Sequence, residues 1–250
     1  MTAPLRVLSL QHVPVEHPGS FREVMAEAGH RWRSVELGGG ETIPDLDGFD
    51  AMLVMGGPMD VWQEDLHPWL RAEKAAIRAW VGAGRPFLGM CLGEQLLAEA
   101  MGGRVGPMPG SPEVGMSTVW QTEAGAADPL FRGIPAASRC FQWHGAEVQE
   151  LPPGARLLAT SPGCRVQGFG YGEHAYGLQY HVELTEMTAR EWGALPEYAD
   201  ALAQVMGDGA LPRLEADIAA HLDELRGVAR QVFTNFAAIA QGVLAQRQAA

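Results

Sequence analysis

From Leu5 to Met101 the apolar positions follow two rhythms. Short apolar runs at Leu5–Leu10, Phe49–Met55 and Phe87–Met90 read as buried strands, and Arg31–Leu37 alternates as a further strand. Between them the apolar positions take helical spacing. Ser20 is placed to N-cap a short helix through Ala28, with Glu23 three residues on as in a capping box and Gly29 ending it. Trp69, Leu70, Glu73, Ile77, Trp80 and Val81 mark a helix over Pro68–Val81, and Leu92–Met101 is rich in good helix formers. Gln11–Gly19, Gly38–Gly40 with Pro44, and Gly56-Gly57-Pro58-Met59 read as loops. Strands and helices that alternate in this way predict a parallel sheet with helices on both faces and ligands at the carboxyl edge of the strands.

The pattern changes at Gly102. Val114–Thr122, Cys140–Trp143, Arg156–Thr160, Arg165–Phe169 and Tyr176–His181 are short β-like runs between Gly/Pro turns, and they predict an antiparallel extension of the same sheet with hairpins. From Thr185 the chain turns helical. Leu211, Leu214, Ile218, Leu222, Leu225, Ala229, Val232, Phe236, Ile239 and Val243 form an amphipathic stripe at near-heptad spacing. A helix or hairpin packed on the domain is preferred to a coiled-coil dimer, because Gly207, Gly209 and Gly227 interrupt the stretch. The expected fold is therefore α/β: an open, mostly parallel, Rossmann-like sheet, an antiparallel extension and a helical C-terminal segment. Residues 1–190 form the α/β domain, and 191–250 pack on it as a helical extension.

Composition narrows the function classes. The 250 residues carry a net charge of −12 with no basic run, which argues against nucleic acid and anionic membrane surfaces as partners. No apolar run approaches the ~18 residues of a membrane span, and Met1–Leu10 lacks the layout of a signal peptide. Cys91, Cys140 and Cys164 are too few and too irregular for a disulfide framework or a C-x-x-C zinc pair. A cytoplasmic protein is expected. The histidines show no H-x-x-x-H spacing, and Asp45, Asp47 and Asp50 lack the glycine and final glutamate of a calcium loop, so no metal and no cofactor is expected.

The chemistry centres on Pro86–Gln95. Cys91 stands at a strand-to-helix junction between Gly89 and Gly93, in the G-x-C-x-G arrangement that is the thiol counterpart of a nucleophile elbow. A lone cysteine at a strand end is more often a core residue; the paired glycines and the junction favour the elbow. There the helix-start N–H groups favour thiolate. A nucleophilic thiol needs a base and the base an orienting group. His181 and Glu183 are two apart at the end of the last expected strand, so both project to one face. Leu92 N–H, just after the nucleophile, and Gly57 N–H are candidate oxyanion donors, although Gly56-Gly57-Pro58 also reads simply as a tight turn.

These residues carry a resemblance. The chain resembles the class I, triad-type glutamine amidotransferases, closest to the stand-alone GMP synthase-like glutaminases. The matching stretches are Gln11–Glu16, Met55–Met59, Pro68-Trp69-Leu70 with Glu73, Leu88–Leu97, Phe141–Gly145, Gln167 with Phe169, Gly177–Glu183 and Val232–Phe236. The resemblance implies Cys91 as nucleophile, His181 as base, Glu183 as its orienter, and Gly57 and Leu92 as oxyanion donors. It also implies Gln95 as a glutamine contact and Trp143, His144, Gly145 and Ala146 at the substrate's amino-acid end. Val182 stands where the family usually has proline, which adds an N–H that needs a partner. Ala146 stands where aspartate is frequent, which leaves mainly backbone to hold the substrate there.

The activity so implied is hydrolysis of the glutamine side-chain amide through a γ-glutamyl thioester. With no G-x-x-x-x-G-K-[ST] and no nucleotide-activating loop, the ammonia acceptor is expected on a partner synthetase. Two alternatives stay open: a γ-glutamyl peptidase or hydrolase with the same triad, and a catalytically silent regulatory or binding subunit. The Gly56–Gly57 peptide is expected to flip at low steric cost, which would leave the isolated chain slow until a partner docks.

Overall fold

The structure, a computed structural model, describes residues 3–249. In chain order it contains β1 (Arg6–Gln11), α1 (Phe21–Glu27), β2 (Arg31–Glu36), β3 (Ala51–Val54), α2 (Trp69–Gly82), β4 (Phe87–Met90), α3 (Leu92–Ala100), β5 (Arg104–Pro107), β6 (Glu113–Gln121) and α4 (Glu123–Ala127). There follow β7 (Ala137–His144), β8 (Ala146–Glu150), β9 (Arg156–Thr160), β10 (Gly168–Tyr171), β11 (Ala175–Leu178), α5 (Thr188–Trp192), α6 (Pro196–Met206) and α7 (Leu211–Ala249). Nine strands form one sheet in the order β2-β1-β3-β4-β11-β10-β9-β6-β7. The pairs from β2 to β11 are parallel, and those from β11 to β7 are antiparallel. This is the expected α/β architecture: a parallel half extended by an antiparallel half.

The alternation of side chains along β1 divides the core. Leu5 and Val7 face one side, where Phe21 and Met25 of α1 meet Val232, Phe233 and Phe236 of α7. Leu8 and Leu10 face the other, against Leu70, Ile77 and Trp80 of α2 and Leu96 and Leu97 of α3. A third cluster joins Phe141 and Trp143 of β7 to Trp192, Tyr198 and the first half of α7, through Leu214, Ile218, Leu222 and Leu225. The C-terminal stripe is thus spent inside the chain. It lies on one helix of 39 residues that runs through Gly227 without a break, because that glycine faces solvent and the i→i−4 ladder does not depend on its side chain.

Several local expectations are corrected. Ser20 makes no side-chain cap; its backbone N–H instead donates to Glu183 O at 2.7 Å. The expected strand Arg165–Phe169 begins three residues later, as β10, after a turn in which Ser161 and Cys164 bond one another. The last strand stops at Leu178, and His181 lies beyond it in an isolated bridge to Phe141. The β5–β8 ribbon has no counterpart in the sequence pattern, because Gly106 and Pro107 give one of its strands the look of a turn.

Candidate active site

Four adjacent parallel strands end at one place. β1 delivers His12, β3 delivers Gly56 and Gly57, β4 delivers Cys91, and β11 leads to His181 and Glu183. Carboxyl-edge convergence is what a sheet of this topology offers a ligand.

Cys91 takes φ 51° and ψ −105°, the one positive-φ non-glycine residue among those described. Such a conformation is strained and persists only where its surroundings enforce it. They do so through glycine. A Cβ on Gly89 would lie 2.3 Å from Gly93 O, and one on Gly93 would lie 2.2 Å from Val54 O, so strand, elbow and helix close on one another only without side chains at those positions. The thiol is buried at the N-terminus of α3. Burial pushes its pKa up, and the imidazole of His181 pulls against that.

His181 is fixed from both sides. Its backbone exchanges two hydrogen bonds with Phe141, at 2.8 and 3.0 Å. The edge of its ring meets Trp192 of α5, with centroids 4.7 Å apart. Its Nδ1 is 2.7 Å from Glu183 Oε1, which assigns the proton to Nδ1 when the ring is neutral and leaves Nε2 as an unprotonated acceptor. Nε2 has no hydrogen-bond partner among the described residues. Burial alone would lower the imidazole pKa; Glu183 and Cys91 together outweigh it and hold it well above its ordinary value. The carboxyl of Glu183, which burial would raise, is held low chiefly by the charge on His181. Val182 N–H, the extra donor left by the missing proline, finds its partner here, at 2.9 Å from Glu183 Oε2.

The cavity in front of Cys91 has a volume of about 190 Å³. Gly57, Leu92, Gln95, Trp143, His144, Gly145 and Ala146 all line it, whereas buried His181 and Glu183 do not. No group among the described residues accepts from the Gly57 or Leu92 backbone N–H. Gln95 Nε2 is 3.2 Å from Ala146 O, and His144 Nδ1 is 3.0 Å from the same carbonyl, so two side chains already occupy that acceptor. His144 Nε2 faces Gln142 Oε1 at 3.1 Å and Glu113 Oε2 at 3.2 Å. The Gln179 amide is wedged between Cys91 Sγ at 3.5 Å and the Gln95 amide at 2.9 Å.

Sequence reasoning assigned no role to the wall that closes the cavity. Glu197, Tyr198 and Ala201 of α6 line it, with Asp60 and Pro112 from loops. Tyr198 OH donates to buried Glu16 Oε1, and Trp192 Nε1 donates to Val15 O at 3.1 Å. The only signal was that Gln11–Glu16 belonged to a matching stretch. Cys140 and Cys164 are buried away from the cavity, their thiols pushed up by desolvation. No helix among the described residues is long and apolar enough to cross a membrane.

Comparison with known proteins adds an independent line. The class-I glutamine amidotransferase profile matches residues 24–191, more than half of the chain. A glutamine amidotransferase-like protein of Salmonella typhimurium, YfeJ, is 33% identical over 186 residues, which span 72% of this chain and 77% of the relative. One subunit of the glutamine-hydrolysing GMP synthase of Ignicoccus hospitalis is 34% identical over 142 residues, 56% of this chain and 70% of the relative. The crystal structure of a glutamine amidotransferase from Thermotoga maritima superposes with a TM-score of 0.83 at 29% identity, over 94% of this chain and 98% of that one.

Proposed function

The chain belongs to the class I glutamine amidotransferases, and on that premise we propose that it hydrolyses the side-chain amide of glutamine through a γ-glutamyl thioester on Cys91, releasing ammonia to an acceptor on another protein. The observation that carries the reading is that Cys91 and Glu183 both act on the buried His181 imidazole, beside two unengaged amides at a cavity of about 190 Å³.

His181 takes the thiol proton, and the thiolate attacks the amide carbon. A C–S bond forms, and the carbonyl oxygen becomes an oxyanion that accepts from Gly57 and Leu92 N–H. The imidazolium gives its proton to the leaving nitrogen, the C–N bond breaks, and ammonia departs. Water then enters; His181 takes one of its protons while the oxygen adds to the thioester carbon. The C–S bond breaks, and glutamate leaves with the thiol restored. Glu183 holds the imidazole tautomer and stabilises its charged form throughout.

Relatives named as GMP synthase subunits support a separate synthetase as consumer of the ammonia. A γ-glutamyl peptide would present the same glutamyl half to this lining, amine included; Ala146 offers that amine no carboxylate, and Asp60 and Glu197 are the carboxylates that line the cavity. Ammonia release from free glutamine, measured beside a panel of γ-glutamyl dipeptides, tests both substrates. Rapid dipeptide cleavage with glutamine hardly touched would replace the amidotransferase reading by one of γ-glutamyl peptide cleavage. Cys91→Ala is expected to abolish both activities with the fold intact; turnover unchanged in that variant would end either reading.

A further inference from the structure

His12 lies just past β1, wholly buried and outside the cavity lining. Its ring stacks on Trp69, with centroids 5.2 Å apart and planes 17° from parallel. Nδ1 is 2.6 Å from Gly56 O, and Nε2 is 3.1 and 3.2 Å from the two carboxylate oxygens of Glu73 on α2, itself wholly buried. A carbonyl only accepts, so Nδ1 carries the hydrogen and donates it to Gly56.

This contact fixes more than a carbonyl. A trans peptide is planar, with its C=O and the following N–H antiparallel. Holding Gly56 O toward His12 therefore turns Gly57 N–H the opposite way, toward the cavity that Gly57 lines and His12 does not. Two consecutive glycines would otherwise let that peptide rotate with little steric resistance. The packing around Gly57 is also close: a Cβ there would lie 3.0 Å from Leu92 Cδ2 and 3.1 Å from His12 Cβ. The segment that the sequence offers as free to flip is tied down from below.

We infer that His12, held by Glu73, is a positioning residue for the oxyanion hole: its Nδ1–H pins Gly56 O and so aims Gly57 N–H at the oxyanion. The inference rests on the hydrolase reading above. Turnover of the parent protein tests that reading, and the ratio of variant to parent tests the lock.

The first variant is His12→Phe/Glu73→Leu, which removes both partners together and leaves no buried charge unpaired. Expected are a kcat at least about tenfold lower, bounded by the 10²–10³ that loss of an oxyanion donor costs, and a KM little changed. Alkylation of Cys91 by iodoacetamide, a displacement at a saturated carbon that develops no oxyanion, should proceed at the parental rate. A kcat loss smaller than about tenfold, or an alkylation rate that falls in step with kcat, would overturn the inference. Should the double variant fail to fold, a single-site pair decides. The amide nitrogen of His12→Asn falls where Nδ1 lay, and that of His12→Gln reaches the place of Nε2. Asparagine is then expected to keep most of the turnover and glutamine to lose it; equal values or the reverse order overturn the lock.

Discussion

Glu16 is wholly buried within electrostatic reach of His181, and its Oε2 has no partner among the described residues. Burial pushes its carboxyl up from 4.5 to about 7, against the charge of His181. The folded chain therefore holds a proton between those values that the unfolded chain releases, so stability falls as pH rises through that window. At 1.36 kcal/mol per unit, the loss is about 3 kcal/mol by pH 8. Glu16→Gln keeps an acceptor for Tyr198 OH and has nothing to ionise. Thermal unfolding of the two proteins should nearly coincide at pH 5 and diverge in favour of the variant by pH 8; a gap independent of pH would refute the shift. Single residues also show how far the site was legible. Cys91 was, because its two glycines stand two positions to either side of it, and His181 with Glu183 was, because a two-residue offset is visible on paper. Glu16 with Tyr198, Val15 with Trp192 and His12 with Glu73 were not: these partners stand 182, 177 and 61 positions apart, and no local pattern joins them.

Among the elements, those with a strong local period keep closest to the sequence pattern. α2 and α3 follow their helical spacing to within a residue or so. The antiparallel half keeps to it less closely. β8 follows β7 after the single residue Gly145, and β11 gives way to irregular chain before His181, so pairing across the sheet sets their limits more than the residues themselves do. α7 departs the other way, since its pattern survives a glycine that the sequence marks as a break. Gly227 is exposed, and a Cβ there would meet nothing within 4 Å. Gly227→Ala should therefore stabilise the protein by about 1 kcal/mol through helix propensity alone, raising Tm by about 2–4 °C in a chain of this size. An unchanged or lower Tm would mean that the glycine serves some purpose other than helix continuity.

For the whole molecule, the geometry bears on whether a partner must complete the site. The proposed nucleophile, base and orienter and both unengaged amides come from one chain, and the Gly56 carbonyl is already held. The sequence alone made a slow isolated enzyme the expectation; the His12 contact reverses it. On the better of its γ-glutamyl substrates the purified chain, with no other protein added, should reach a kcat above about 1 s⁻¹, the low end of the ordinary enzyme range. A value a hundredfold lower that recovers on adding a synthetase would restore the need for a partner.

The α6 wall carries a different consequence. Glu197, Tyr198 and Ala201 lie beyond residue 191, where the shared family profile ends, whereas the proposed nucleophile, base and oxyanion amides lie before it. The family profile thus spans the residues proposed to react and stops short of one wall of the cavity, even though the Thermotoga maritima structure superposes over 94% of the chain. Diversification can then proceed by rewriting a short helix, leaving the reactive edge of the sheet as it was. Grafting the corresponding helix from a relative should carry that relative's substrate choice with it.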